Sequence, residues 1–414
     1  MNLAVAFSRR ISALIRLGAP PVLLARVVRW IVRFLAREFA FQLTAIAGAL
    51  AALLGRAPAS RLRGTGMILA GTLGAMEARF AWQAWRTVRA VDRELRDEIP
   101  GEPPKSRFPR SHLVLPPLML FARSVSRERG IIFHEEAKRR VRLDVYRPRA
   151  AAADGEARPA VIQVHGGGWI LGSRSEQGIP LLNHLATNGW IGFNVDYRLS
   201  PRATLPEHVI DVKRAIAWVR EHAEDLGVDP ERICLTGGSA GGHLTALAAL
   251  TADDRSLQPG FEDADTSVAA AVPFYGVYDL VDESRFYYPE LREWLFERVV
   301  VKRKLADAPE LFRSVSPVHR VHPDAPPFLI FHGEDDTLVP VEDARTFARR
   351  LEDISRNRTL YVELPGAEHA FDLFPSLRTA RVVEGIERFL RAVVEPPPSD
   401  EAEASAPERM LSVP

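Results

Sequence analysis

Between residues 126 and 394 the chain alternates short apolar runs with longer stretches in which apolar positions recur at helical spacing. The runs at 131–134, 141–146, 160–165, 191–195, 233–237, 269–274, 328–332 and 359–364 predict strands. The stretches at 176–188, 206–225, 239–250, 341–354 and 376–394 predict helices. Alternation of this kind implies an α/β fold with a mostly parallel central sheet of about eight strands and helices on both faces. No helix separates the first two runs, so they are expected to pair as an antiparallel hairpin at the sheet edge. Residues 282–313 break the rhythm with a helical insertion rich in aromatics (Phe286, Tyr287, Tyr288, Trp294, Phe296).

Outside this region the pattern differs. Residues 1–96 read as helical throughout, residues 97–125 as a proline-rich linker, and residues 395–414, rich in Pro, Ser, Glu and Ala, as a disordered tail. Charge changes the picture at the N-terminus: residues 1–63 carry ten arginines and a single acid, Glu38, among many apolar positions. Within them, 39–55 is uncharged, and as a helix its 17 residues would span roughly 25 Å, the short end for a bilayer crossing. A second uncharged run covers 64–76. Three readings fit: a membrane anchor, amphipathic helices lying on a membrane surface, or helices packed on the rest of the chain. The first two imply membrane association through residues 1–76 and a membrane or cell-envelope location, the third a cytoplasmic one. A net charge of +1 argues against nucleic acid as a partner. The lone cysteine, Cys234, lies in an apolar strand-like run and reads as a small buried hydrophobe.

The candidate chemistry sits at strand ends. Gly237-Gly238-Ser239-Ala240-Gly241 follows one predicted strand and opens a helix. That context suits a nucleophilic serine: a sharp turn lifts its hydroxyl above the sheet, and small residues two before and two after let strand and helix approach closely. His165-Gly166-Gly167-Gly168-Trp169 ends another strand. Three consecutive glycines there suit a loop whose amides must approach a reacting oxygen. The oxyanion donors are assigned to Gly166, Gly167 and Ala240, with His165 bracing the loop. A serine needs a base and the base an orienting carboxylate. His369, after the last strand, is the best-placed histidine, and the carboxylate lies within Glu334-Asp335-Asp336, where Asp336 is chosen and Asp335 is the alternative. His243, four residues beyond the serine, reads as packing. The insertion at 282–313, with part of the N-terminal region, is expected to cap the pocket. Gly168, Trp169, Tyr287, Tyr288 and Trp294 are its candidate substrate-binding residues.

With these motifs in place the region 126–394 resembles the hormone-sensitive-lipase-like esterases of the α/β-hydrolase fold. The resemblance rests on His165–Gly168, on Tyr197-Arg198-Leu199-Ser200-Pro201, on Gly237–Gly242, on His332-Gly333 with Asp336, and on His369. It implies hydrolysis of short- to medium-chain acyl or aryl esters, or lipid esters, without metal or cofactor. Where that family often carries an acid, this chain has Gly238, a form similar to bacterial aryl- and feruloyl-type esterases and formamidases. An amidase or aryl-formamidase with the same triad is therefore the rival reading. A non-catalytic binding protein of this fold is a more distant one, since such members lack the histidine present here.

Overall fold

The structure, a computed structural model, describes residues 11–38, 48–49, 52, 60–96, 98–99, 122–136, 139–150 and 156–395. The alternation of apolar runs is realised as β1 (Val125–Glu136), β2 (Arg139–Pro148), β3 (Arg158–Val164), β4 (Ile191–Val195), β5 (Val228–Gly238), β6 (Ala270–Phe274), β7 (Phe328–Gly333) and β8 (Thr359–Leu364). They form one sheet in the order β1-β2-β4-β3-β5-β6-β7-β8. β1–β2 and β2–β4 pair antiparallel, and every later pairing is parallel. This is the mixed, mostly parallel sheet of the α/β-hydrolase fold, with the expected hairpin at its edge.

β1 starts well before the apolar run at 131–134, because charge rather than apolar burial holds its first half. Arg127 Nη2 lies 2.7 Å from Asp144 Oδ2 on β2, and Gly130 N donates to Asp144 Oδ1 at 2.8 Å. The central strands β3, β4, β6 and β7 are buried nearly end to end, as expected when helices cover both faces.

Among the described residues seven longer α-helices surround the sheet: α1 (Pro21–Glu38), α2 (Ser60–Arg96), α3 (Ile179–Thr187), α4 (Glu207–Glu221), α5 (Ala240–Ala249), α6 (Val341–Ile354) and α7 (Leu377–Val394). α5 is built of small and apolar residues and is buried on all sides. α1 turns Leu23, Trp30 and Phe34 inward and leaves Val22, Val28 and Val32 exposed. The C-terminal half of α2 buries Gln83, Thr87, Val91 and Leu95, and Val91 and Leu95 sit against the bare backbone of Gly385 on α7.

Residues 11–38 and the end of α2 are thus packed on the α/β region. No helix among the described residues is long and apolar enough to cross a membrane. The run at 64–76 falls inside α2. The run at 39–55, most of the proline-rich 97–125 stretch and the tail beyond 395 lie outside the described residues.

The insertion forms a wide, π-type helical segment, Leu291–Val301, preceded by an irregular loop. Tyr287, expected to contact substrate, instead fastens this insertion to the core. Its hydroxyl donates to Asp343 Oδ2 at 2.5 Å, and its ring packs edge-on against Phe296 at 5.3 Å. A buried phenol needs an acceptor, and the first turn of α6 supplies one. Asp343 also accepts the Tyr278 amide at 2.6 Å.

Burial pushes the Asp343 carboxyl up to about 7, against the pull of these two donors. The ordinary unfolded value is about 3.9. Between the two the folded chain holds a proton that the unfolded chain has lost, so this residue makes stability fall as pH rises from about 4 to about 7. Asp343→Asn, which can accept both bonds without a charge, is expected to flatten that slope by a few kcal/mol, on the order set by the difference in proton affinity. Melting temperatures of both proteins from pH 4 to 8 check it; parallel curves would contradict the assignment.

Candidate active site

β5 ends at Gly238 and α5 begins at Ala240, leaving Ser239 alone at the turn with φ 58° and ψ −122°. A non-glycine residue held at such angles carries about 1–3 kcal/mol of strain, which the surrounding packing must hold in place. The Ser239 amide donates to Phe274 O at 3.0 Å, tying the turn to β6. α5 can approach β3 only because residue 241 is glycine: a Cβ there would collide with the Val164 carbonyl. Residue 238 is sterically confined too, since a Cβ would meet the Tyr275 hydroxyl at 2.7 Å. The phenol of Tyr275 fills that space, and its hydroxyl donates to Asp372.

His369 lies on the loop between β8 and α7, and Asp336 on the loop after β7. His369 Nε2 is 2.9 Å from Ser239 Oγ, and His369 Nδ1 is 2.6 Å from Asp336 Oδ2. The carboxylate can only accept, so Nδ1 carries the proton and Nε2 offers its lone pair to the serine hydroxyl. Asp336 Oδ1 accepts the Leu338 and Val339 amides at 2.8 and 2.9 Å. Burial alone would raise the Asp336 carboxyl. The charge of His369, with hydrogen bonds from His332 and His369, outweighs it and holds the group well below the usual carboxylate range. The neighbouring acids point elsewhere: Asp335 pairs with Arg37, and Glu334 accepts the Gly366 amide. The choice among three adjacent acids is settled by the turn, not by residue type.

The oxyanion loop follows β3. His165 braces it, stacked on Tyr197 with ring centroids 4.4 Å apart, and its backbone carbonyl accepts the Tyr197 hydroxyl at 3.1 Å. One of the assigned donors needs correction. The Gly166 amide donates to Gln177 Oε1 at 2.6 Å and is therefore committed. The amides of Gly167 and Gly168 have no such acceptor among the described residues. Ala240 opens α5, where first-turn amides lack helical partners. Gly167, Gly168 and Ala240 thus carry the amides left available beside Ser239, with the N-terminus of α5 adding its partial positive charge.

A cavity of about 180 Å³ reaches Ser239 and His369. Gly168, Trp169, Tyr288 and Trp294 line it as expected; Tyr287 does not. Trp169 is fixed by its indole N–H, which donates to His243 Nδ1 at 3.2 Å, while His243 Nε2 donates to Val315 O at 2.7 Å. Burial pushes the His243 imidazole down to about 4, which keeps it neutral for this relay. The sequence reading missed Tyr275; it expected part of the N-terminal region over the pocket without naming residues, and the structure places Leu23, Val27, Trp30 and Ile31 of α1 in the wall. Their three- and four-residue spacing was a visible signal of an apolar face, but nothing in it named the surface to be covered.

Comparison with known proteins agrees with this geometry. The BD-FAE family model matches residues 143–351. The chain is 47% identical over 264 residues to a Mycobacterium tuberculosis protein described as probable carboxylic ester hydrolase LipM, covering 64% of this chain and 61% of the relative. It is 46% identical to esterase LipQ of the same organism, over 61% of this chain and 59% of that one. The chain therefore spans about three fifths of the length of these curated relatives. Among solved structures it resembles Thermogutta terrifontis esterase 2 with butyrate bound, at 30% identity and a TM-score of 0.55, over 66% of this chain and 95% of that one.

The geometry makes Asp336 the residue that sets the imidazole tautomer. Asp336→Asn is expected to lower kcat on an activated ester by about 10⁴-fold. Asp335→Asn should change it by less than about tenfold, because that carboxylate binds Arg37 rather than the imidazole. Comparable losses in the two variants would overturn the assignment.

Proposed function

We propose that this chain, which belongs to the BD-FAE family, is a serine carboxylic-ester hydrolase acting through an acyl-enzyme on Ser239. The observation that carries the reading is the unbroken chain of hydrogen bonds from Asp336 through His369 to Ser239, opening onto an apolar cavity. His369 Nε2 takes the hydroxyl proton as Oγ attacks the ester carbonyl, and Asp336 stabilises the imidazolium that forms. The Gly167, Gly168 and Ala240 amides receive the developing oxyanion, each lost donor being worth about 3–4 kcal/mol of barrier. The C–O bond then breaks, His369 passes its proton to the departing alcohol, and water repeats the cycle on the acyl-serine.

The substrate class in this reading is esters of short- to medium-chain acids, with aryl or alkyl alcohols. The cavity, about 180 Å³, is below the 300–1,000 Å³ typical of drug-sized ligand sites. Its walls are Leu, Val, Ile and Trp side chains, which suit an acyl chain. Structures of Thermogutta terrifontis esterase 2 holding butyrate and propionate support the same range. The motif set from His165 to Gly168 and Gly237 to Gly242 supports the finer placement with hormone-sensitive-lipase-like enzymes, and Gly238 with Tyr275 marks the departure from that pattern. The reading also has the enzyme at a membrane surface through residues 1–76. Its support is the arginine-rich composition there and the outward Ile15, Val22, Val28, Val32, Met67 and Ile68.

Ser239→Ala is expected to lower kcat on p-nitrophenyl butyrate by about 10⁶-fold and to abolish labelling by a fluorophosphonate probe. A panel of acetate, butyrate, octanoate and palmitate esters should show kcat/KM highest for butyrate or octanoate and lowest for palmitate. Faster turnover of N-formylkynurenine than of any ester would replace this reading with the formamidase one. Retained activity in Ser239→Ala would end both.

A further inference from the structure

α1 does more than line the cavity. Three of its side chains, at positions i, i+3 and i+7 and so on one face, bind the loops that carry the acid and the base. Trp30 Nε1 donates to the backbone carbonyl of His369 at 3.0 Å, with its ring edge-on to the imidazole at 6.3 Å. Arg33 Nε donates to Glu368 Oε2 at 2.8 Å. Arg37 donates to Gly366 O at 3.0 Å and to Asp335 Oδ2 at 2.7 Å.

Glu368 is the centre of this arrangement. Its side chain is 0% exposed. Its Oε1 accepts the Thr337 amide at 2.7 Å, the Thr337 hydroxyl at 2.9 Å and the His369 amide at 3.2 Å. One carboxylate therefore joins the residue after Asp336 to the backbone of His369. Among the described residues its ion-pair partner is Arg33. A buried carboxylate without a cation is strongly disfavoured. With Oε2 left uncompensated, the side chain would be drawn toward water, and the bonds that Oε1 accepts from both loops would weaken together.

We propose that Arg33 is a positioning residue for catalysis: by neutralising the buried Glu368 from across the chain, it holds His369 and Asp336 in register over Ser239. The proposal rests on the serine-hydrolase reading and adds a residue outside the region matched by the family. α1 remains docked without this pair, through Leu23 and Phe34, through Arg37, and through the Glu38–Arg378 ion pair. The role of Arg33 is thus separable from anchoring the helix. Displacing a reacting group by about 1 Å costs on the order of 10²-fold in rate, and that sets the scale expected here.

The test is a double-mutant cycle in the full-length protein, read with p-nitrophenyl acetate, a small ester that makes little use of the α1 wall. Arg33→Gln is expected to lower kcat and the fluorophosphonate labelling rate by about 30- to 100-fold, with KM changed less than about threefold. Arg33→Lys, which keeps the charge, should recover most of the loss. In a Glu368→Gln background no cation is required, so adding Arg33→Gln should cost less than about threefold more. Arg29→Gln on the exposed face of α1 serves as the control and should match wild type. Unchanged kcat in Arg33→Gln, equal losses in both backgrounds, or a loss confined to KM would overturn the proposal. Should Arg33→Gln fail to fold, Trp30→Phe keeps every charge, removes the donor to His369 O and trims the cavity wall; a kcat equal to wild type would then overturn the positioning role of α1. Failure of wild type itself to hydrolyse esters or take the probe would instead sink the underlying reading.

Discussion

The structure depends on one imidazole being held between two oxygens. His369 Nδ1 faces Asp336 at 2.6 Å and Nε2 faces Ser239 at 2.9 Å, and the three residues arrive from three different strand ends. A hydrogen-bond relay of this kind tolerates shifts of only a few tenths of an ångström before nucleophile and base part company. The sheet supplies that tolerance. β5, β7 and β8 lie in one sheet with β6 between β5 and β7, so loops leaving their C-terminal ends emerge on one edge at fixed spacing. The strained Ser239 turn, the committed Asp336 oxygens and the small residues of the elbow are local consequences of meeting that one demand.

The N-terminal helix is part of the site rather than an appendage to it. By composition it looks like a segment made for a lipid surface, with arginines scattered among valines and leucines. In the fold two of those arginines are turned inward, to carboxylates and carbonyls of the catalytic loops, and Arg26 lies over the Tyr288 ring at 3.3 Å from its centroid. Valines 22, 28 and 32 face out instead. This inversion has a physical reason. The loops at 334–337 and 365–369 present buried carboxylates and carbonyls that need cationic donors, and guanidinium groups satisfy several at once. One helix thereby both walls the cavity, through Leu23, Val27 and Ile31, and binds the loops that carry His369 and Asp336, through Arg33 and Arg37.

Gly238 and Tyr275 illustrate how a bare backbone position can be tied to distant side chains. The bare backbone at 238 leaves room for a phenol that packs 4.5 Å from the His369 ring and binds Asp372. Burial, reinforced by the Asp372 charge, raises that phenol well above its ordinary range, so it stays a neutral donor. The glycine at 238 is therefore linked to 275 and 372, positions that sequence proximity does not connect.

Much was legible from residue order alone. Alternating apolar runs located the eight strands, and all five predicted helices formed close to their expected bounds, because burial on a two-faced sheet imposes those periods wherever the strands fall in the chain. Ser239 and His369, which the structure brings together, were readable as candidates from their places after strand ends, since a reactive serine demands bare backbone at set positions. Tertiary structure decided the rest. It chose Asp336 over its neighbours, withdrew the Gly166 amide, turned Tyr287 to Asp343, and laid α1 across the site. Each of these depends on which buried donor meets which acceptor across long sequence separations, and neither periodicity nor residue type encodes that pairing.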